Sequence, residues 1–279
     1  MDPNDDGNPA DGIDGWRLDV ANEVKDRNPE FWQNWRDYVK SINPNVYITG
    51  EIWRDAGEYL KGNEFDGVMN YRFREAVVNL LTKNWEVDKF ISTINKIKAE
   101  YPEPANNSLL NLIDSHDTER FLTTVENNEE KLKIAVALQF MLPGSPMLYY
   151  GDEVGIKGSS DPDNRRTMLW EETSDNYNQS KELLEFYKKI IKIRKENTVL
   201  TQGRANIKSV GENESIIMIK RELKGKSIIG LINTTSKQIE IKFDLKQKEV
   251  LDLLSKKNCK VENGVITVIL DSYGIYILK

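Results

Sequence analysis

From Gly12 onward, short apolar runs alternate with longer stretches whose apolar residues recur at helical spacing. Ile13–Val20 reads as a first strand, apolar enough to be buried. The stretch from about Pro29 to Ile42 puts Phe31, Trp32, Trp35, Tyr38, Val39 and Ile42 on one helical face, with Pro29 near its first turn. Val46–Ile52 and the shorter Phe65–Val68 read as strands, followed by helices over Phe73–Leu81 and Val87–Glu100. Leu109–Ile113 is a strand, Glu129–Leu142 a helix and Met147–Tyr150 a fifth strand. Leu183, Leu184, Tyr187, Ile190 and Ile191 mark an amphipathic helix that closes this part. Strands alternating with helices predict a parallel sheet with helical crossovers.

Near Val199–Gly203 the period changes. Ser215–Lys220, Ser227–Asn233, Ile239–Phe243, Val250–Leu254, Val265–Leu270 and Gly274–Leu278 are short apolar or alternating runs. Asn213, Gly225, Asn233–Ser236 and the Asn263-Gly264 pair punctuate them. An antiparallel β-module is predicted, which divides the chain into an α/β part, 1–198, and a β-sandwich part, 199–279.

Composition narrows the partners. Hydrophobic residues make up 39% and charged residues 30%, values of a soluble globular protein. A net charge of −6, without a lysine- or arginine-rich block, argues against nucleic acid or an anionic membrane and favours a neutral substrate. A single cysteine, Cys259, excludes an intrachain disulfide and leaves the compartment open between cytoplasm and exterior. No apolar run approaches the roughly 20 residues of a membrane-spanning helix. The acidic, glycine-rich opening reads as a loop leading straight into a strand, so an upstream portion is expected. Its Asp2-Pro3-Asn4-Asp5-Asp6-Gly7 is similar to a calcium loop, but Ile13 stands where the closing glutamate would be, which favours a solvated loop over a calcium site.

Three segments carry candidate chemistry. In Gly15-Trp16-Arg17-Leu18-Asp19-Val20, Arg17 and Asp19 are two apart on a strand and face the same way, which keeps the Asp19 carboxylate ionised. That pair suits either a carboxylate nucleophile or a structural ion pair. In Ile48-Thr49-Gly50-Glu51-Ile52-Trp53, a glutamate follows an apolar strand beside a tryptophan; apolar surroundings would make it a general acid, and a surface glutamate is the plainer alternative. In Leu112-Ile113-Asp114-Ser115-His116-Asp117, the one histidine of the chain neighbours an aspartate, again after a strand. With no second histidine and a distant cysteine, a metal site is not expected there. Carboxylates at several strand ends would meet on one face, because the C-terminal strand ends form the active-site face of a parallel β/α barrel.

In order, GWRLDVANEV, ITGEIW, LIDSHDTERF and GSPMLYYGDE followed by DPDNRRTMLW resemble the strand-four, -five, -seven and -eight motifs of the α-amylase superfamily of glycoside hydrolases. The resemblance covers essentially the whole chain. It implies strands four to eight of a (β/α)8 TIM barrel followed by an all-β sandwich. It further implies Asp19 as nucleophile, Glu51 as general acid/base and Asp117 as the third carboxylate, holding sugar hydroxyls. Arg17 would orient Asp19, and His116, Asp161, Arg165 and Trp53 would bind sugar, with Trp53 as a stacking platform; Tyr149, Tyr150 and Trp170 are expected to pack. Trp53 after the acid and Ser115 before His116 are similar to the neopullulanase, cyclomaltodextrinase and maltogenic amylase subgroup, although Arg54 stands where a histidine is common. The implied activity is retaining hydrolysis of α-1,4 bonds in starch-type glucans and maltooligosaccharides, with α-1,6 cleavage or transglycosylation open and no cofactor beyond an optional calcium. The family's first three strands have no counterpart here. An incomplete piece is therefore expected, paired with an N-terminal half or a second copy. The rival reading is a non-catalytic piece of the same fold that binds glucan or protein.

Overall fold

A computed structural model describes residues 7–83, 85–170 and 179–279. Residues 1–6, with most of the calcium-like motif, lie outside the described residues. Strands Gly15–Leu18 (β1), Tyr47–Gly50 (β2) and Gly67–Val68 (β3) form a parallel sheet in that order, and Leu110–Leu112 (β4) and Ser145–Met147 (β5) form a parallel pair. A parallel bridge between Met69 and Leu110 joins the two sets. Five strands thus run side by side in chain order, the C-terminal arc of a (β/α)8 barrel. Around them lie helices Ala21–Arg27 (α1), Phe31–Ile42 (α2), Tyr71–Thr82 (α3), Val87–Glu100 (α4), Glu103–Ser108 (α5), Phe121–Thr124 (α6), Glu129–Met141 (α7), Lys181–Glu196 (α8) and Thr198–Gln202 (α9).

Several helices start on side-chain caps. Asn70, Asn128 and Ser180 accept from the backbone amides of Phe73, Lys131 and Leu183, each satisfying a donor the helix itself leaves open. Helix α7 is buried all round, from Leu132 to Met141. It lies between the strands, α8 and the following β-domain, and each fully buried Leu or Ile there contributes about 1.5–3 kcal/mol.

The β-domain has strands Arg204–Val210 (β6), Ile216–Leu223 (β7), Lys226–Asn233 (β8), Ile239–Asp244 (β9), Glu249–Leu251 (β10), Asn258–Glu262 (β11), Val265–Leu270 (β12) and Ile275–Leu278 (β13). They form two antiparallel sheets, ordered β13-β8-β7-β6 and β10-β11-β12-β9. The first sheet is covered on both faces. Ile217, Ile219, Ile228, Ile232 and Ile277 join the core under the barrel helices, while Ile216, Met218 and Leu231 face the second sheet. Continuous rather than alternating apolar runs in β7 and β8 follow from this double burial. At Gly230 a Cβ would stand 2.8 Å from Met141 Cε, so the missing side chain lets α7 approach the sheet.

Four expectations are corrected. The fifth strand lies at Ser145–Met147, not Met147–Tyr150; its Pro146 has no amide to donate, which is tolerated where β4 is the only strand neighbour among the described residues. Strand β1 is half-exposed rather than buried, with Ile13, Trp16 and Val20 at the surface on or beside it, because among the described residues only β2 flanks it. On α2, Trp32 and Val39 are buried but Tyr38 is 68% exposed and Phe31 is also at the surface, at the margins of the apolar stripe. Trp170, expected to pack, is 61% exposed rather than buried. No helix among the described residues is long and apolar enough to cross a membrane.

Candidate active site

Strands β1, β2 and β4 deliver the three carboxylates from their C-terminal ends. Parallel register aligns Leu18 with Gly50, so Asp19 and Glu51 leave adjacent strands side by side. One guanidinium spans both. Arg17 Nη1 pairs with Asp19, and Arg17 Nη2 lies 3.3 Å from Glu51 Oε2. Arg17 Nε donates to Met69 Sδ at 3.3 Å, which fixes the plane of the fork. The hydrogen bond from Arg17 holds the Asp19 carboxyl below the usual carboxylate range.

Glu51 is buried, but its surroundings are not the apolar ones expected. Besides Arg17, its oxygens receive the Val20 amide at 3.0 Å and the Trp53 indole N–H at 3.2 Å. Gly50 before it packs against Phe65, whose Cε2 would lie 2.4 Å from any Cβ, so a larger residue would displace the end of β2. Val20 delivers its amide from a left-handed conformation, φ 40°, unusual for a β-branched residue.

Across from this pair, His116 Nε2 lies 3.0 Å from Asp117 Oδ2 in the loop after β4. Arg165, from the segment after β5, sits 3.4 Å from Asp117 Oδ1 and 2.8 Å from Asp161 Oδ1. Arg165 thus ion-pairs with Asp161 and Asp117, and His116 contacts Asp117, in one chain of polar contacts open to solvent. Trp53 uses one ring face against Tyr71, centroids 3.9 Å apart and 11° between planes; it is 47% exposed. Tyr149 and Tyr150 lie edge to face against each other and both contact the Arg120 guanidinium, at 3.8 and 4.7 Å, while Tyr150 stays partly exposed.

Sequence reasoning missed several residues that hold these groups. Tyr71 supports Trp53, and burial pushes its hydroxyl up to about 12. Met69 accepts from Arg17, and Arg120 and Asn164 anchor the His116 loop from below. Met69 and Tyr71 lie outside the quoted motifs, whereas Arg120 and Asn164 lie within LIDSHDTERF and DPDNRRTMLW, where nothing in the local pattern told their anchoring role apart from that of their neighbours. Among the described residues no cluster of three or more His, Cys, Asp or Glu side chains is arranged to hold a metal ion.

The model for the family "Alpha amylase, catalytic domain" matches residues 9–203. The chain is 42% identical over 269 residues to a cyclomaltodextrinase of Thermoanaerobacter pseudethanolicus, covering 96% of this chain and 45% of that protein. It is 42% identical over 228 residues to neopullulanase 2 of Thermoactinomyces vulgaris, covering 81% of this chain and 38% of that protein. A solved cyclomaltodextrinase structure superimposes with a TM-score of 0.88 at 34% identity, over 96% of this chain and 45% of that one. The chain thus spans less than half the length of these relatives.

Proposed function

The chain belongs to the α-amylase family, and from that premise we propose that it carries the catalytic carboxylates of a retaining α-glucan hydrolase. The substrates would be α-1,4-linked starch-type glucans and maltooligosaccharides. The observation that supports this most is the single Arg17 guanidinium spanning Asp19 and Glu51. Adjacent carboxyls suit double displacement, in which the two stand about 5–5.5 Å apart. Asp19, kept ionised by Arg17, attacks the anomeric carbon while Glu51 gives its proton to the departing glycosidic oxygen. A water then attacks the same carbon and yields its proton to Glu51, and Asp19 leaves as a carboxylate. Two inversions return the α-anomer.

In this reading Asp117, His116, Asp161 and Arg165 hold sugar hydroxyls, and the open face of Trp53 stacks on a sugar ring. The names of the relatives point to cyclic and linear maltodextrins as the substrate class. Because β1 and β5 each have one strand neighbour among the described residues, we assign turnover to the arc once further barrel strands or a second copy cover those edges.

The test is maltooligosaccharide hydrolysis, by the chain alone and joined to the complementary segment of a longer relative, with NMR of the first-formed product. The joined protein is expected to release the α-anomer, and Asp19→Asn to abolish turnover while the fold persists. Glu51→Gln should spare substrates with activated leaving groups, which need less protonation. A β-anomeric first product, or near-full activity of Asp19→Asn, overturns the assignment.

A further inference from the structure

Asn164 lies fully buried in the 3-10 turn Asp163–Arg165, beneath the loop that carries His116 and Asp117. Its Nδ2 donates to the carbonyls of His116 and Thr118, both at 2.8 Å. These are the carbonyls of the residues on either side of Asp117, so one amide group straddles the third carboxylate. Both N–H protons of that amide are spent on this loop. The reverse orientation would set the Asn164 oxygen against two carbonyl oxygens, acceptor against acceptor. The next residue, Arg165, reaches the Asp117 carboxylate itself, 3.4 Å away.

We propose that Asn164 is a positioning residue for the third carboxylate: its amide fixes where Asp117 and His116 stand against Arg165 and Asp161. The proposal rests on reading those four groups as sugar-binding. Two pinned carbonyls leave the Asp117 backbone little room to rotate. The Asp117 amide is held as well, donating to Ser115 Oγ at 3.2 Å, while the Ser115 amide donates to Thr118 Oγ1 at 2.8 Å. The backbone thus sets the facing of the carboxylate, and His116 Nε2 lies 3.0 Å from it. Such placement matters to a reaction, since a shift of about 1 Å at a reacting geometry can cost about 10²-fold in rate.

Asn164 is held in turn from below. Arg120 Nε donates to the Asn164 carbonyl at 2.8 Å, and Nη1 of the same buried guanidinium donates to the Tyr150 carbonyl at 2.6 Å and to Asp152 Oδ1 at 3.0 Å. The Arg120 amide donates to the Gly158 carbonyl at 3.0 Å, and the following amide, of Phe121, donates to Asp114 Oδ2 at 2.7 Å. At Gly158 a Cβ would stand 2.4 Å from the Asp163 carbonyl oxygen and 2.7 Å from Asn164 Cα. The missing side chain is what lets the segment pass against the turn that carries Asn164.

His116 is the only histidine in the chain. Histidine labelled with 13C at the carbonyl and 15N in the ring therefore gives one NMR signal for the bond from Asn164 and one for the contact with Asp117. In the unaltered chain the Asn164 side-chain N–H protons should exchange with deuterated water far more slowly than those of exposed asparagines. Asn164→Leu, similar in shape but without a donor, should move the His116 carbonyl signal upfield, as loss of a hydrogen bond requires, and displace the ring Nε2 signal with it. Gly158→Ala keeps every hydrogen-bonding side chain and should displace both signals by pushing on the Asn164 turn. If Asn164→Leu does not fold, Gly158→Ala and the exchange measurement decide. An unmoved carbonyl signal in the folded variants, or rapid exchange of the Asn164 amide, overturns the clamp. A carbonyl signal that moves while the ring signal stays in place overturns the positioning role and makes Asn164 a purely structural tie. None of these measurements involves glucan, so their outcome is separate from that of the hydrolysis test.

Discussion

Val20 is held at φ 40° by what its amide does: it donates to Glu51 at the point where β1 turns into α1. A left-handed conformation at a β-branched residue costs on the order of 1–3 kcal/mol, and Val20 is largely exposed and recovers little through packing. Val20→Gly should therefore raise stability by about 1 kcal/mol in urea denaturation, part of the gain being offset by the greater freedom of glycine when unfolded. Unchanged or lower stability would mean that the valine side chain contributes more than its exposure suggests. At this scale the sequence was informative where neighbours along the chain are also neighbours in space. Arg17 and Asp19, two apart on a strand, do pair; Glu51 and Trp53, two apart, do meet through the indole N–H. It was silent about Tyr71, Met69, Asp114 and Asp152, whose partners are brought to them by strand register and by the loops after β4 and β5.

Helix α7 shows what periodicity reveals of an element and what it does not. Its extent was legible from the apolar run, yet its C-terminal end depends on two distant arginines. Arg194 of α8 donates to the Phe140 and Gly144 carbonyls, and Arg221 of β7 donates to those of Met141 and Gly203. Both guanidiniums are buried, and burial pulls each down to about 10, still charged at neutral pH. They face the negative end of α7, where the last carbonyls lack helical partners. Arg221→Met keeps the volume but strands three carbonyl contacts, and should cost about 2–4 kcal/mol in chemical denaturation. A loss below about 0.5 kcal/mol, the scale of ordinary surface substitutions, would show that solvent replaces the guanidinium there. Strands β6 and β11 escaped notice for a related reason: RANIKSV and NCKVE are polar, and it is pairing with β7 and with β10 and β12 that makes them strands.

At the scale of the whole molecule the two parts share one core, since isoleucines of β7, β8 and β13 pack in the same cluster as α7 and α8. The opposite side of the barrel arc is different. Among the described residues β1 has a neighbour only in β2 and β5 only in β4, while Ile13, Trp16 and Val20 near one edge and Leu148 and Tyr150 near the other are exposed. Unpaired strand edges bordered by apolar side chains are templates for association, and natural sheets blunt such edges with charge or cover. The net charge of −6 opposes association only weakly at physiological salt, where exposed charges are screened within about 8 Å. The isolated chain should therefore show a mass in sedimentation equilibrium that rises with concentration, and more so at higher salt. Ile13→Lys with Leu148→Lys puts one charge at each edge and should return the mass toward that of a single chain with unchanged circular dichroism. A mass independent of concentration in the unaltered chain would mean that these edges are already covered within it, and would remove the ground for assigning turnover to a form in which further strands close the arc.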